Sequence, residues 1–93
     1  MKFSDLKFTK REGSDVIQAL VFFPNGYGAS IIRGSISYTS ENVDDYELAV
    51  LKGDKYLWEI CYKNSLNRGI SCFLSREAVE ILLDEIEKWD GNL

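Results

Sequence analysis

The sequence predicts an α+β fold, in which an antiparallel sheet of about five or six strands, joined by meander-like hairpins, packs against one C-terminal helix. Three observations predict it: a hairpin signal at Asn25-Gly26, alternating apolar side chains over residues 56–62, and a single apolar stripe near the C-terminus. Short turns between strands followed by one amphipathic helix are typical of an antiparallel sheet with a helix on one face. The length of 93 residues fits one domain, 1–93.

The first hairpin, residues 16–33, is the centre of the predicted sheet. Two apolar segments meet at Asn25-Gly26, a pair typical of a type I′ turn, which requires positive φ at both central residues. Pro24 lacks an N–H and suits a strand end beside a turn. Gly28 follows the turn directly and predicts a bulge there.

The segments around this hairpin are less regular. Residues 2–9 predict either an edge strand or a short turn with a strand, and the polar residues 10–15 predict a connecting turn. Residues 34–45 form the longest polar stretch and predict a loop, with a short strand near Ile36 as an alternative.

A second hairpin is predicted over residues 46–63. Its first strand covers 46–51, its turn centres on Gly53-Asp54, and its second strand places Tyr56, Trp58, Ile60 and Tyr62 on one face. A loop over 64–69 then leads to a short last strand, in which Ile70, Cys72 and Leu74 are expected to share a face.

The C-terminal segment predicts one amphipathic helix. Ser75 is a favoured N-cap, because its hydroxyl accepts a hydrogen bond from an unpaired N–H of the first turn. Gly91 is typical of the residue just beyond a helix. Helical spacing places one apolar stripe towards the sheet, formed by Val79, Leu82, Leu83, Ile86 and Trp89.

Charge and composition exclude several classes of function. The net charge is −4, divided into +2 for residues 1–40 and −6 for residues 41–93. The acidic second part argues against direct nucleic-acid binding, which needs clustered cations, and favours a partner with a basic surface. A plain solvated acidic surface is the alternative. There is no apolar run of the length of a signal peptide or a membrane span, so a soluble cytoplasmic protein without a membrane partner is expected.

The chain carries little that suggests chemistry. It has no histidine and two cysteines, which excludes histidine-based triads and offers too few ligands for a zinc site. If loop 64–69 turns about its centre, Cys61 and Cys72 lie opposite each other; otherwise they are two small buried hydrophobes. Gly26-Tyr27-Gly28 resembles part of a phosphate loop, but a strand follows it instead of a helix. We therefore expect no enzyme, no catalytic residue, no cofactor and no metal.

The candidate partner-binding residues are acidic, with a few apolar anchors among them. One group surrounds the predicted loop and comprises Glu41, Asp44, Asp45 and Glu47. A second group lies on the predicted helix and comprises Glu77, Glu80, Asp84 and Glu87, with Ile81 beside them as an apolar contact. Tyr27 and Tyr38 are the aromatic candidates, since tyrosine is enriched at interfaces, and the alternative is that both residues cap the sheet.

Several segments together resemble a group of short uncharacterised proteins encoded by bacteriophages and prophages. The resemblance is carried by residues 23–30 (FPNGYGAS), residues 46–51 (YELAVL), Trp58-Glu59 with Tyr62, and the helix start at Leu74-Ser75. It implies a phage accessory protein acting in the bacterial cytoplasm. The functional hypothesis is an acidic protein that occupies a host protein, such as a CRISPR or other defence nuclease. The alternative is a structural or homo-oligomeric phage component, and monomer or homodimer stays open.

Overall fold

The computed structural model describes residues 1–13, 16–34, 45–62, 64, 66 and 70–91. It shows an antiparallel six-stranded sheet with one C-terminal helix, which confirms the predicted α+β class. A short 3₁₀ helix (Phe3–Asp5) precedes the sheet. The remaining elements, in chain order, are β1 (Thr9–Lys10), β2 (Ile17–Phe22), β3 (Tyr27–Arg33), β4 (Tyr46–Gly53), β5 (Trp58–Ile60), β6 (Ile70–Leu74) and α1 (Arg76–Lys88).

The strands follow a meander up to β5. The order across the sheet is β1-β2-β3-β4-β5, and β6 returns to pair with β4. β5 pairs with residues 51–53 of β4 and β6 with residues 46–49, so the two strands lie one after the other along the same side of β4. Because neither pairs with the other, the suggested juxtaposition of Cys61 and Cys72 is wrong. Cys61 packs against the core, and Cys72 is exposed.

The last strand changes face along its length. Ile70 lies opposite Ala49, whereas Leu74 lies opposite Tyr46, and the register shifts between these two pairs. The irregularity turns Leu74 towards the helix side of the sheet, where it packs against the core, while Ile70 lies on the other face. The prediction that Ile70, Cys72 and Leu74 share one face is therefore wrong.

The turn between β2 and β3 is a hairpin, but its type differs from the predicted one. The Gly26 N–H donates to the Phe23 carbonyl (3.2 Å), and the Phe23 N–H donates to the Tyr27 carbonyl (2.8 Å). Gly26 has φ +87°, whereas Asn25 is not among the described residues with positive φ. This is a type I turn followed by a left-handed glycine, and the type I′ prediction is wrong. The predicted bulge at Gly28 is also wrong, since Gly28 pairs in regular register with Phe22 and Leu51.

The helix covers one face of the sheet. The Ser75 hydroxyl accepts from the Ala78 N–H (3.0 Å), which confirms the predicted N-cap. Its apolar stripe meets the inward side chains of β3 and β4, and the core consists of Ala29, Ile31, Tyr46, Leu48, Val50, Val79, Leu83, Ile86 and Trp89. Within the described ranges, no helix is long and apolar enough to cross a membrane.

The N-terminal segment lies on the same side as the helix. Of the two alternatives predicted for residues 2–9, the structure shows the short turn with a strand: a 3₁₀ helix that contacts α1 is followed by β1. The ring of Phe3 meets that of Tyr46 edge-on at 5.0 Å, and Phe8 lies 6.0 Å from the same tyrosine. These aromatic contacts extend the core beyond the helix stripe.

The β4–β5 turn lies slightly later than predicted. β4 continues to Gly53, and the Asp54 N–H donates to the Leu57 carbonyl (3.0 Å). The Asp54 carboxylate accepts from the N–H groups of Tyr56 (2.8 Å) and Leu57 (3.0 Å), so one side chain organises the turn. These two hydrogen bonds hold the pKa of Asp54 below its ordinary value, and the nearby Lys55 adds to the effect.

This turn should respond to acid. The ionised Asp54 is the form that the folded turn stabilises, so its contribution is complete above the ordinary pKa near 3.8 and is lost as the pH falls through the lower pKa of the folded state. We expect the difference in unfolding free energy between the wild type and Asp54→Asn to shrink as the pH falls below this value. Urea unfolding of both proteins at a series of pH values above and below 3.8 measures this difference in unfolding free energy. A difference that does not change with pH would contradict the prediction.

Candidate binding surfaces

The acidic helix surface is the outward side of α1, formed by Glu77, Glu80, Ile81, Asp84, Glu85 and Glu87. Glu77, Ile81 and Glu85 are spaced by four residues and lie along one line of the helix. All three are exposed, and Ile81 retains 59% of its surface in contact with solvent. An apolar side chain thus stands between two carboxylates.

Two of the predicted partner-binding acids hold the N-terminal segment instead. The Glu80 carboxylate accepts a hydrogen bond from the Phe3 N–H, and the Asp84 carboxylate lies 2.9 Å from the Met1 ammonium. The Met1 ammonium lowers the pKa of Asp84 by hydrogen bonding and attraction, and Asp84 in turn raises the pKa of Met1. These contacts leave Glu77, Glu85 and Glu87 as the helix acids available to a partner. Glu85, which the prediction omitted, was detectable from its spacing of four residues from Ile81.

The predicted acidic cluster around the loop does not form one surface where it is described. Asp45 pairs with Arg33, with Oδ1 3.2 Å from Nε, and both side chains are largely buried. The Arg33 guanidinium also lies over the Tyr46 ring, 5.3 Å from its centroid. Glu47 instead lines a pocket on the sheet face opposite α1. Glu41, Asp44 and Tyr38 lie outside the described residues.

Tyr27 is a packing residue at the end of the helix. Its ring lies 4.5 Å from that of Trp89, and it is half-buried. Its hydroxyl lies beside Gly91, where a β-carbon would come within 2.7 Å of the oxygen. This position favours the capping role that was the alternative to partner contact.

The sheet face opposite α1 holds a pocket that sequence reasoning missed. Its residues combine apolar side chains with four polar or charged ones: Arg11, Gln18, Ser30, Ile32, Glu47, Ala49, Trp58, Ile60 and Ile70. The Gln18 amide donates to the Ser30 hydroxyl (2.8 Å) across the pocket floor. Leu20, Trp58 and Ile70 on this face remain 38–47% exposed. Alternation of side chains groups these residues on one face, but only the position of α1 shows that this is the face away from the helix.

Comparison of the chain with protein-family models, with curated proteins and with solved structures finds no match. In the part of the chain that the structure describes, no group of three or more cysteine, aspartate or glutamate side chains is arranged to hold a metal ion. Function is therefore inferred from the acidic helix surface and from the pocket on the opposite sheet face.

Proposed function

We propose that this chain is a non-enzymatic binding protein that docks the basic surface of a protein partner through its acidic helix surface. The observation that carries the proposal is Ile81, exposed between Glu77 and Glu85 on the outward side of α1. Exposed apolar side chains within a charged rim are the arrangement of a small docking site, because the apolar group supplies burial and the charges supply orientation.

Charge supports a basic partner. The carboxylates of Glu77, Glu85 and Glu87 have no hydrogen-bond or ion-pair partner among the described side chains, and all three residues are exposed to solvent. A carboxylate row of this kind attracts lysine and arginine and repels the phosphates of nucleic acid. The phage resemblance of the sequence suggests bacterial proteins as partners, including the basic nucleic-acid grooves of CRISPR and other defence nucleases.

The test uses a pair of matched charge reversals. The double variant Glu77→Lys/Glu85→Lys reverses the helix charges, and Glu12→Lys/Glu59→Lys reverses two exposed acids elsewhere. Both variants change the net charge equally. A partner captured from bacterial lysate by the wild type is identified and purified, and its dissociation constant is measured by calorimetry with each protein.

The helix variant is expected to bind at least about tenfold more weakly, because like charges then oppose each other across the interface. The control variant should stay close to the wild type. Equal binding by both variants would show that the helix is not the docking surface. Failure of the wild type to capture any protein from the host would contradict the proposed function itself.

A further inference from the structure

One edge of the sheet is only partly covered. β1 pairs with β2 at Ile17 and Gln18 alone, through Lys10 and Thr9. Beyond this point no described residue pairs with β2 on the side away from β3. Exposed strand edges offer unpaired N–H and C=O groups to another strand, and proteins usually cover or charge them.

The direction of the backbone groups on this edge follows from the hairpin. The Phe23 N–H donates to the Tyr27 carbonyl, so Phe23 directs its N–H towards β3. The Arg11 N–H donates to the Val16 carbonyl, so Val16 directs its C=O towards β1. In an antiparallel ladder, residues that direct these groups to one side of a strand alternate with residues that direct them to the other side. The N–H and C=O groups of Leu20 and Phe22 therefore face the open edge, whereas those of Val21 face β3.

The side chains of β2 contain no charge that would oppose pairing with another strand. Residues 16–23 contain no charge, and Leu20 is 43% exposed. The free stretch is bounded on one side by β1 at Gln18 and on the other by Pro24, which has no N–H to donate. Within these bounds the open edge offers two donors and two acceptors.

We propose that β2 of a second copy of this chain pairs antiparallel with this edge, with a two-fold axis at Val21. Leu20 of each copy then lies opposite Phe22 of the other, and four backbone hydrogen bonds join the two sheets. A shift of the register in one direction would require pairing at Gln18, which β1 already occupies. A shift in the other direction would require pairing at Pro24, which has no N–H to donate. In this register each outward N–H of β2 faces a C=O of the second copy, and no charged side chains lie opposite each other. Because the two copies are related by a two-fold axis, both edges are used and the assembly ends at a dimer.

Disulfide trapping tests both the dimer and its register. The variant Val21→Cys is made in a Cys61→Ala/Cys72→Ser background. In the proposed register the two Val21 positions form a pair without mutual hydrogen bonds, with Cα atoms about 4.5 Å apart, which a disulfide can bridge. Ile17→Cys is the matched control, because it lies on the same face of the same strand but beside β1.

We expect mild oxidation to convert Val21→Cys into a covalent dimer and to leave Ile17→Cys monomeric. Sedimentation of the wild type should show a concentration-dependent dimer. Leu20→Pro, which removes an outward N–H from each copy, should weaken this dimer at least about tenfold without loss of the folded circular-dichroism spectrum. If Leu20→Pro fails to fold, the cross-linking result decides alone.

Three results would overturn the proposal. They are a wild type that stays monomeric at millimolar concentration, equal cross-linking of the two cysteine variants, and assemblies that grow beyond a dimer. The reversal Glu77→Lys/Glu85→Lys should leave the dimer unchanged. Cross-linking and sedimentation therefore test the edge pairing alone, and the affinity for a captured partner tests the helix docking alone.

Discussion

Replacing Gly28 by alanine is expected to lower the free energy of unfolding by about 3 kcal/mol. A β-carbon at this position would overlap the backbone carbonyl oxygen of Val21 and lie 3.1 Å from the Cα of Phe22. Both obstacles belong to the main chain of β2, so relief requires the hairpin to move rather than a side chain to rotate. For a domain of this size the change corresponds to a melting temperature lowered by about 12–24 °C.

Gly34→Ala is the matched control for this substitution. A β-carbon at Gly34 would meet no atom within 4 Å, and the residue is not among those with positive φ. It should therefore change stability by less than about 1 kcal/mol, with stabilisation the expected sign, because alanine restricts the unfolded chain. Thermal unfolding of both variants makes the comparison. Similar melting temperatures for the two would contradict the close approach of β2 and β3 at Gly28.

The fold was largely predictable because its strongest signals are local. The N-cap at Ser75 and the stripe of α1 depend on neighbouring residues, and both are confirmed. The turn type at Asn25 was not predictable, because the contacts that hold its side chain come from the far end of the chain. The pairing of β6 with β4 was not predictable either, because the sequence of a strand does not determine which other strand it pairs with.

The candidate surfaces were predictable only in part. Helical spacing identifies the line of Glu77 and Ile81, and both are exposed. The internal use of Glu80 and Asp84 depends on where the N-terminal segment lies, which no local pattern encodes. The open edge at Leu20 depends on the length of β1, because a longer first strand would have covered it.

Asn25→Ala is expected to lower the free energy of unfolding by about 2 kcal/mol, which is more than the substitution of a surface turn residue normally costs. The Asn25 side-chain amide donates to the carbonyl oxygens of Ile86 (2.8 Å), Glu87 (3.2 Å) and Trp89 (3.1 Å), and its oxygen accepts from the Tyr27 N–H (3.1 Å). The carbonyls of Ile86 and Glu87 lie in the last turn of α1, and that of Trp89 belongs to its C-cap. The Ile86 carbonyl also accepts from the Trp89 N–H (3.2 Å), but the helix offers no further N–H groups beyond this cap. One side chain therefore joins the hairpin to the end of the helix.

Two further variants separate this role from a turn preference. Asn25→Asp keeps the oxygen that accepts from Tyr27 but replaces the donor with a carboxylate oxygen facing the helix carbonyls, so it should destabilise at least as much as alanine. Ser75→Ala removes the cap at the other end of α1 and should cost about 1 kcal/mol. Hydrogen exchange locates each effect: Asn25 variants should speed exchange at Trp89, and Ser75→Ala at Ala78. An Asn25→Asp variant as stable as the wild type would mean that the hairpin does not depend on the helix end, and the acidic helix surface would then be positioned by its apolar stripe alone.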